Sequence, residues 1–278
     1  MAVDVDGTLM DSRNELPVAN KVALHKAHQA GMMVCLCTGR SLTETRAVID
    51  QLGLDSDLGI FVFGAIVSEL PAGKTLYRTG IDDSLTERLI TYFRSHGHAI
   101  LVLYDASEAG FDYHLVRGER FTEACEQWLE LAPTQAEEID EWLPGQYEPI
   151  RIGVIEDPKH IDRTLASLKR AFPPEELKCN AIYAPNYGLH VVECFAPQVS
   201  KWHGIKQVAG QRGIDDSQIA AIGDDINDLE MIRHAGFSVA MGNAIEQVKA
   251  AANLQVPTHD QNGVAKAVEA ILGEKVVD

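Results

Sequence analysis

Short apolar runs typical of buried strands alternate with amphipathic stretches typical of helices along the first part of the chain. The predicted strands are Met1–Val5, Met32–Cys37 and Gly59–Phe63. The predicted helices are Pro17–Ala30 and Leu42–Leu52. A repeated order of strand and helix predicts a parallel sheet with helices packed on its faces.

This pattern is interrupted after Gly64 and returns near the end of the chain. A hairpin is predicted around Pro71–Lys74. The elements predicted after it are helices Leu85–Ser95, Glu119–Leu131 and Pro158–Ala171, with strands Ile100–Tyr104, Ile150–Ile155 and Ala181–Tyr183. The first pattern then resumes with helix Lys201–Gln211, strand Ile219–Ile222, helix Asp228–His234, strand Ser238–Met241, helix Ala244–Ala252 and helix Gly263–Leu272.

The order of these elements predicts an α/β fold with two domains. Residues 1–81 and 190–278 would form a Rossmann-like, doubly wound parallel sheet. Residues 82–189 would form an α/β cap domain inserted between the two parts of that core.

Composition and charge restrict the classes of partner. Hydrophobic residues make up 46% of the chain and charged residues 23%, which is the ordinary globular mixture. The net charge of -17 argues against a nucleic acid or an anionic membrane as partner, since either would need clustered Lys and Arg. An anionic substrate would therefore need a metal ion or a well-placed cation.

The cysteines and the hydropathy pattern bear on the compartment. The chain has five scattered cysteines and no Cys-x-x-Cys pair, so reduced, buried thiols are expected. No apolar run approaches the roughly 20 residues of a membrane span. These features favour a cytoplasmic enzyme, and no motif specifies its oligomeric state.

Polar clusters stand where ligands bind in parallel sheets, just beyond the carboxyl ends of strands. The clusters are Asp4-Val5-Asp6-Gly7-Thr8, Thr38-Gly39-Arg40, Ser200-Lys201 and Gly223-Asp224-Asp225-Ile226-Asn227-Asp228. Paired carboxylates in the first cluster suit a nucleophile and a proton donor, and Asp224 in the last is a candidate Mg²⁺ ligand. Thr38 and the Gly39 N–H could hold a phosphate oxygen.

Each cluster also has a structural interpretation. The first could be a simple Asp-Gly turn whose carboxylates only cap the loop. Asn227 and Asp228 could cap the helix that follows them, and Thr38-Gly39-Arg40 could be the entry to a helix capped by Ser41. Lys201 could be an ordinary surface lysine.

Taken together and in this order, the four clusters resemble the haloacid dehalogenase (HAD)-like hydrolases. Two further segments, Ser238–Ala244 and Asn262–Ala265, resemble the closing segments of the Cof-like phosphatases. The Cof-like subgroup places a large α/β cap where the predicted insertion lies. The resemblance therefore implies a HAD-like core and a Mg²⁺-dependent phosphatase acting on a small phosphorylated metabolite, such as a sugar phosphate or a phosphorylated cofactor.

The resemblance also implies a role for each site residue. Asp4 would be the nucleophile that forms an aspartyl-phosphate, and Asp6 would be the general acid and base. The metal ion would be held by Asp4, the backbone carbonyl of Asp6 and Asp224. The residues implied to surround the metal and the phosphoryl group are Thr38, Gly39, Lys201, Asn227 and Asp228.

Two departures from the family pattern keep other functions open. Phe63-Gly64-Ala65 replaces the usual Asn-Gly-Ala, and only Met1-Ala2-Val3 precedes Asp4, so that the first strand is short or truncated. A phosphomutase would return the phosphoryl group to a sugar. A phosphate-binding regulatory protein would have lost turnover, although Asp6 argues against that reading.

Overall fold

The computed structural model describes residues 1–54, 57–131, 134–184 and 188–273. The chain divides into two compact units. The first, called the core unit below, comprises Met1–Tyr77 and Ser200–Asp278. The second, the inserted unit, comprises Arg78–Val199.

The described elements alternate between strand and helix in both units. The strands are β1 (Ala2–Asp4), β2 (Cys35–Cys37), β3 (Leu58–Phe61), β4 (Ile66–Glu69), β5 (Thr75–Arg78), β6 (Ile100–Leu103), β7 (Tyr113–Val116), β8 (Ala136–Ile139), β9 (Arg151–Glu156), β10 (Lys178–Ala184), β11 (Leu189–Phe195), β12 (Ala220–Gly223), β13 (Phe237–Ala240) and β14 (Leu254–Gln255). The helices are α1 (Val18–Gln29), α2 (Leu42–Leu52), α3 (Asp83–Ser95), α4 (Ala106–Ala109), α5 (Thr122–Leu131), α6 (Ile161–Ala171), α7 (Lys201–Arg212), α8 (Leu229–His234), α9 (Glu246–Ala251) and α10 (Gly263–Ile271). None of these helices combines the length and the apolar character that crossing a bilayer requires.

The core unit is built on one sheet with the strand order β14-β13-β12-β1-β2-β3-β4-β5. The strands from β14 to β3 are parallel, and β4 runs antiparallel to β3. The chain leaves β1 toward β2 on one side and later returns as β12 on the other, which is the topology of a doubly wound sheet. This confirms the predicted Rossmann-like fold class.

Register places the ends of the central strands beside one another. Asp4 is opposite Cys37 of β2, and Val3 is opposite Ile222 of β12. The loops that follow β1, β2 and β12 therefore leave the same edge of the sheet. This edge is the topological switch point, where ligands bind in open α/β sheets.

Buried apolar strands and helices explain why β1 can be short and still be central. Ala2 and Val3 are buried between β2 and β12 and cannot be reached by solvent from either face. On one side of the sheet α1 packs against α10. The buried Asn20 of α1 donates to Leu9 O (3.0 Å) and accepts from the N–H of Ala265 (3.1 Å), which ties the loop after β1 to both helices.

The inserted unit contains a second sheet with the strand order β10-β11-β9-β6-β7-β8. Its neighbouring strands are antiparallel except β7 and β8. Leu89 and Phe93 of α3 and Leu168 of α6 are fully buried with side chains of β6 and β9 in one apolar cluster. This unit is therefore an α/β unit with its own core.

The boundaries of the insertion differ from the predicted residues 82–189. The inserted unit extends from Arg78 to Val199, because β11 (Leu189–Phe195) pairs with β9 and β10 rather than with the core sheet. The prediction had placed most of β11 in the core. β11 was not recognised because Glu193 and Cys194 follow an apolar pair, so the segment lacks clean alternation.

Gly64 provides a test of how the core unit is packed. It has φ +99°, and a Cβ at this position would overlap the carbonyl oxygen of Ser200. We expect Gly64→Ala to lower the free energy of unfolding by about 3 kcal/mol or more, because it adds a backbone clash to the strain of the left-handed conformation. Urea denaturation followed by circular dichroism measures the change.

Gly31→Ala is the matched control. Gly31 also has a positive φ, +86°, but a Cβ there would meet open space. Gly31→Ala should lower the free energy of unfolding by only about 1 kcal/mol. Equal losses for the two variants would contradict the close approach of Gly64 to Ser200.

Candidate active site

Three carboxylates meet at the switch point of the core sheet. Asp4 is the last residue of β1, Asp224 directly follows β12, and Asp228 lies one turn further on, at the start of α8. Each offers an oxygen within 4.8 Å of the oxygens offered by the other two. The parallel register of β1 and β12 brings together side chains that are far apart in sequence.

A buried ammonium group lies among these carboxylates. Lys201 Nζ donates to Asp4 Oδ1 (2.5 Å), Asp228 Oδ1 (2.6 Å) and Asn227 Oδ1 (2.9 Å). These three bonds use the three hydrogens of the ammonium group. Lys201 itself is 1% exposed, which excludes the surface-lysine interpretation.

Local hydrogen bonds fix the two segments that carry these residues. Ser200 caps α7 by accepting from the N–H of His203 (3.0 Å), so that Lys201 begins the helix. Asp228 Oδ2 accepts from the N–H groups of Asp224 (3.0 Å) and Asp225 (3.1 Å). Asp228 therefore shapes the loop after β12 and binds the lysine, but its side chain does not cap α8, the helix that follows it.

Asp224 is held by two polar side chains that no sequence argument had assigned to the site. Thr8 Oγ1 donates to Asp224 Oδ1 (2.8 Å), and Asn243 Nδ2 approaches Asp224 Oδ2 (3.3 Å) while donating to Gly7 O (2.8 Å). Gly7 has φ +78°, and a Cβ there would overlap Asp224 Oδ2. Glycine at position 7 thus allows the loop after β1 to approach Asp224 closely.

The electrostatics of the cluster favour an added cation. Burial and the neighbouring carboxylate of Asp228 raise the pKa of Asp4 well above its usual value, although Lys201 opposes the shift. Burial and Asp228 likewise raise the pKa of Asp224 to about 6. Burial alone would lower the pKa of Lys201, but the carboxylates of Asp228 and Asp4 raise it, so this lysine stays charged.

One ammonium group does not neutralise three carboxylates. Oxygen ligands close together in a partly buried site are what a hard divalent cation such as Mg²⁺ requires. The donor set therefore fits the metal expected from the sequence. The oxygens that Asp4, Asp224 and Asp228 offer lie close enough together to surround one such ion.

Asp6 lies at the exposed rim rather than in the carboxylate cluster. Its side chain is 53% exposed and is bound by the guanidinium of Arg40, with Nε 3.0 Å from Oδ2 and the terminal nitrogen Nη2 on Oδ1. Arg40 Nη2 also donates to Asn14 Oδ1 (2.9 Å). The ion pair joins the loop after β1 to the loop after β2.

Thr38 and Gly39 continue directly from β2 on the same edge of the sheet. Thr38 is fully buried, and its Oγ1 accepts from the N–H of Arg40 (3.1 Å), which leaves the hydroxyl hydrogen to be donated. Ser41 caps α2 with a capping box through Glu44. The predicted helix entry is present, and Thr38 lies ahead of it at the end of the strand.

Most of the residues that meet here are predicted by the sequence motifs, and some are not. The structure brings Asp4, Asp224, Asp228, Lys201 and Asn227 together, whereas Asp6 pairs with an arginine at the rim. The residues overlooked as partners were Thr8, Asn243 and Arg40, which all occur in the quoted motifs. Their place in those motifs was the signal that could have identified them.

Comparison with known proteins agrees with this geometry. The family model for haloacid dehalogenase-like hydrolases matches residues 1–268. The 5-amino-6-(5-phospho-D-ribitylamino)uracil phosphatase YwtE of Bacillus subtilis is 27% identical over 292 residues, covering 98% of this chain and 97% of the relative. Phosphatase YwpJ of the same organism is 26% identical over 289 residues, covering 98% and 99% respectively.

A solved structure shows the same fold over nearly the whole chain. The crystal structure of a haloacid dehalogenase-like hydrolase from Bacteroides thetaiotaomicron superposes with a TM-score of 0.79 at 23% identity. The match covers 97% of this chain and 98% of that one. Both units are therefore included in the structural likeness.

Asp224→Asn tests the electrostatic strain of the site. The pKa of Asp224 is about 6 in the folded protein, which is above its value in the unfolded chain. Ionising Asp224 therefore lowers the free energy of unfolding as pH rises from about 4 to about 6. Without metal at pH 7.5, Asp224→Asn should therefore be more stable than the native chain by about 2 kcal/mol. At pH 4 the two should be nearly equal.

Divalent metal should reverse the order of stability of the native chain and Asp224→Asn. Millimolar Mg²⁺ should raise the thermal midpoint of the native chain, since a ligand that binds only the folded state stabilises it. Asp224→Asn should respond much less, while Asp225→Asn, a change at an exposed neighbour, should follow the native chain. An Asp224→Asn variant that is less stable in EDTA at pH 7.5, yet responds normally to Mg²⁺, would refute this account.

Proposed function

Since this chain belongs to the haloacid dehalogenase-like hydrolases, we propose that it is a Mg²⁺-dependent phosphatase that hydrolyses a small phosphorylated metabolite through an aspartyl-phosphate. The observation that carries the proposal is the contact of Asp4 with Lys201 at the switch point, beside Asp224 and Asp228. A carboxylate in this position can attack phosphorus, and the charges around it suit a phosphoryl group.

In the first step an oxygen of Asp4 attacks the phosphorus atom, and the bond from phosphorus to the ester oxygen breaks. Lys201 orients Asp4 through the 2.5 Å contact and balances charge on the phosphoryl group. With its carbonyl oxygen bound to Lys201, Asn227 presents its NH₂ group for donation to a phosphoryl oxygen. Thr38 Oγ1 and the Gly39 N–H supply further donors.

Asp6 is the proposed acid and base. It gives its proton to the departing ester oxygen, then takes a proton from the water that attacks the aspartyl-phosphate. That second attack breaks the bond between phosphorus and Asp4, releases inorganic phosphate and restores the carboxylate. The position of Asp6 at the rim supports contact with both the leaving group and water.

Asp4, the backbone carbonyl of Asp6 and Asp224 are the proposed metal ligands, and Asp228 orders the surroundings through its bonds to the loop. When bound, Mg²⁺ would offset negative charge on the phosphate and favour the ionised form of Asp4. A local cation site of this kind also answers the repulsion expected from the net charge of -17.

The name of a curated relative supports the proposed substrate class. The name of YwtE specifies a small phosphomonoester with a phosphoribityl chain. We propose a small phosphomonoester for this chain too, either a sugar phosphate or a phosphorylated cofactor, with the inserted unit acting as the cap that selects it.

Neither a nucleic acid nor a membrane is proposed as a partner. Free cysteines, buried except for the half-buried Cys179, are consistent with a cytoplasmic setting.

Asp4→Asn should abolish phosphate release from a panel of phosphorylated metabolites assayed with Mg²⁺. We expect at least about a thousandfold loss, because the amide is a poor nucleophile. Asp6→Asn should lose about a hundredfold or more, because it can neither donate nor accept the required proton. EDTA should silence the native protein, and free phosphate is measured colorimetrically.

Asp225→Asn serves as the control, because Asp225 is an exposed acid next to the cluster. Its side chain accepts a hydrogen bond from the Ile226 N–H, and an asparagine can keep that bond. It should keep near-native activity. Activity that survives Asp4→Asn or EDTA would contradict the mechanism. Product analysis by phosphorus NMR separates hydrolysis from transfer: an isomeric phosphate ester with little free phosphate would identify a phosphomutase instead.

A further inference from the structure

Phe63 is an unusual residue at the edge of the candidate site. In the described stretch from Asp57 to Ser68, Phe63 alone is partly exposed and the other residues are buried. Its backbone is left-handed, with φ 56° and ψ 25°. Aromatic residues adopt this conformation at a cost that asparagine and glycine largely avoid, and such strain is found most often at functional sites.

Main-chain hydrogen bonds hold the Phe63 turn against the loop after β2. The N–H of Phe63 donates to Thr38 O (3.0 Å), and the N–H of Val62 donates to Arg40 O (3.0 Å). On its other side, Gly64 lies in close contact with the carbonyl of Ser200. The turn is therefore fixed between two segments that carry proposed phosphate-site residues.

The Phe63 ring lies on Gly39. A Cβ built on Gly39 would overlap the Cζ atom of Phe63 and would lie 2.7 Å and 2.9 Å from the two Cε atoms. The end of the ring thus covers the backbone whose N–H is proposed to hold a phosphoryl oxygen. A partly exposed apolar residue therefore stands beside the proposed phosphate donors.

We propose that Phe63 is a specificity-determining residue that favours phosphomonoesters carrying an aromatic or apolar ring near the phosphate over polyhydroxylated ones. This inference rests on the proposed phosphatase function. A ring or alkyl group gains by covering the exposed part of Phe63. Hydroxyl groups placed there would lose water without gaining a hydrogen bond from the side chain.

The test measures binding without turnover. The Mg²⁺-loaded native protein is titrated calorimetrically with phenylphosphonate and with methylphosphonate, which share the anionic head but differ in the ring. We expect phenylphosphonate to bind about fivefold more tightly in the native protein, and the preference to fall to about twofold or less in Phe63→Asn. Phe63→Tyr, which keeps the ring, should retain the preference.

Phe63→Asn should fold, because asparagine accepts the left-handed backbone, and its thermal midpoint should not fall. Phe63→Leu gives a second test with an apolar side chain but no ring, and should show an intermediate preference. Equal binding of both phosphonates by the native protein, or an unchanged preference in Phe63→Asn, would overturn the inference.

The same experiment separates this inference from the proposed function. Phosphonates are not hydrolysed, so a preference that depends on Phe63 supports the inference whether or not the protein turns over. If that preference is present but no phosphate ester in the panel is hydrolysed, only the proposed phosphatase activity is wrong. Where turnover occurs, the ratio of kcat/KM for phenyl phosphate to that for glucose 6-phosphate should fall about fivefold in Phe63→Asn.

Discussion

The candidate site depends on the burial of the Lys201 ammonium group among carboxylates. A buried charge is costly unless its partners compensate it, and Lys201 has two carboxylates and an amide oxygen within 2.9 Å. The compensation is mutual, because Asp4 and Asp228 would otherwise repel each other in a place with little water. Replacing Lys201 with an apolar residue would leave those acids unpaired. The ion cluster thus fixes where β1, α7 and the loop after β12 must meet.

The sheet topology makes this meeting possible. Asp4 and Lys201 lie on opposite sides of a large insertion, and the parallel pairing of β1 with β12 helps to bring the two parts of the core unit together. The insertion has its own sheet and apolar cluster, so it interrupts the sequence of the core without interrupting its packing. A chain built this way can vary the inserted unit while the charged cluster stays the same.

Apolar runs and polar clusters were sufficient to predict most strands of the core sheet, though not β14, and most of the residues gathered at its edge. They failed where the signal was not local. β11 was assigned to the wrong domain because its partners, β9 and β10, are determined by antiparallel pairing and not by its own sequence pattern. The bonds of Thr8 and Asn243 to Asp224 were missed for a similar reason, since a short polar residue in a loop shows no period that indicates where its side chain points.

The site joins buried and exposed groups, and this division matches the proposed chemistry. Asp4 and Asp228 are buried and bound to Lys201, so their positions are closely constrained. Asp6 is half exposed and lies at the rim, where the guanidinium of Arg40 binds both of its carboxylate oxygens. A nucleophile benefits from a constrained position because in-line attack depends on orientation. An acid and base that must reach first an ester oxygen and then a water molecule needs access to solvent, and the half-exposed side chain of Asp6 has that access.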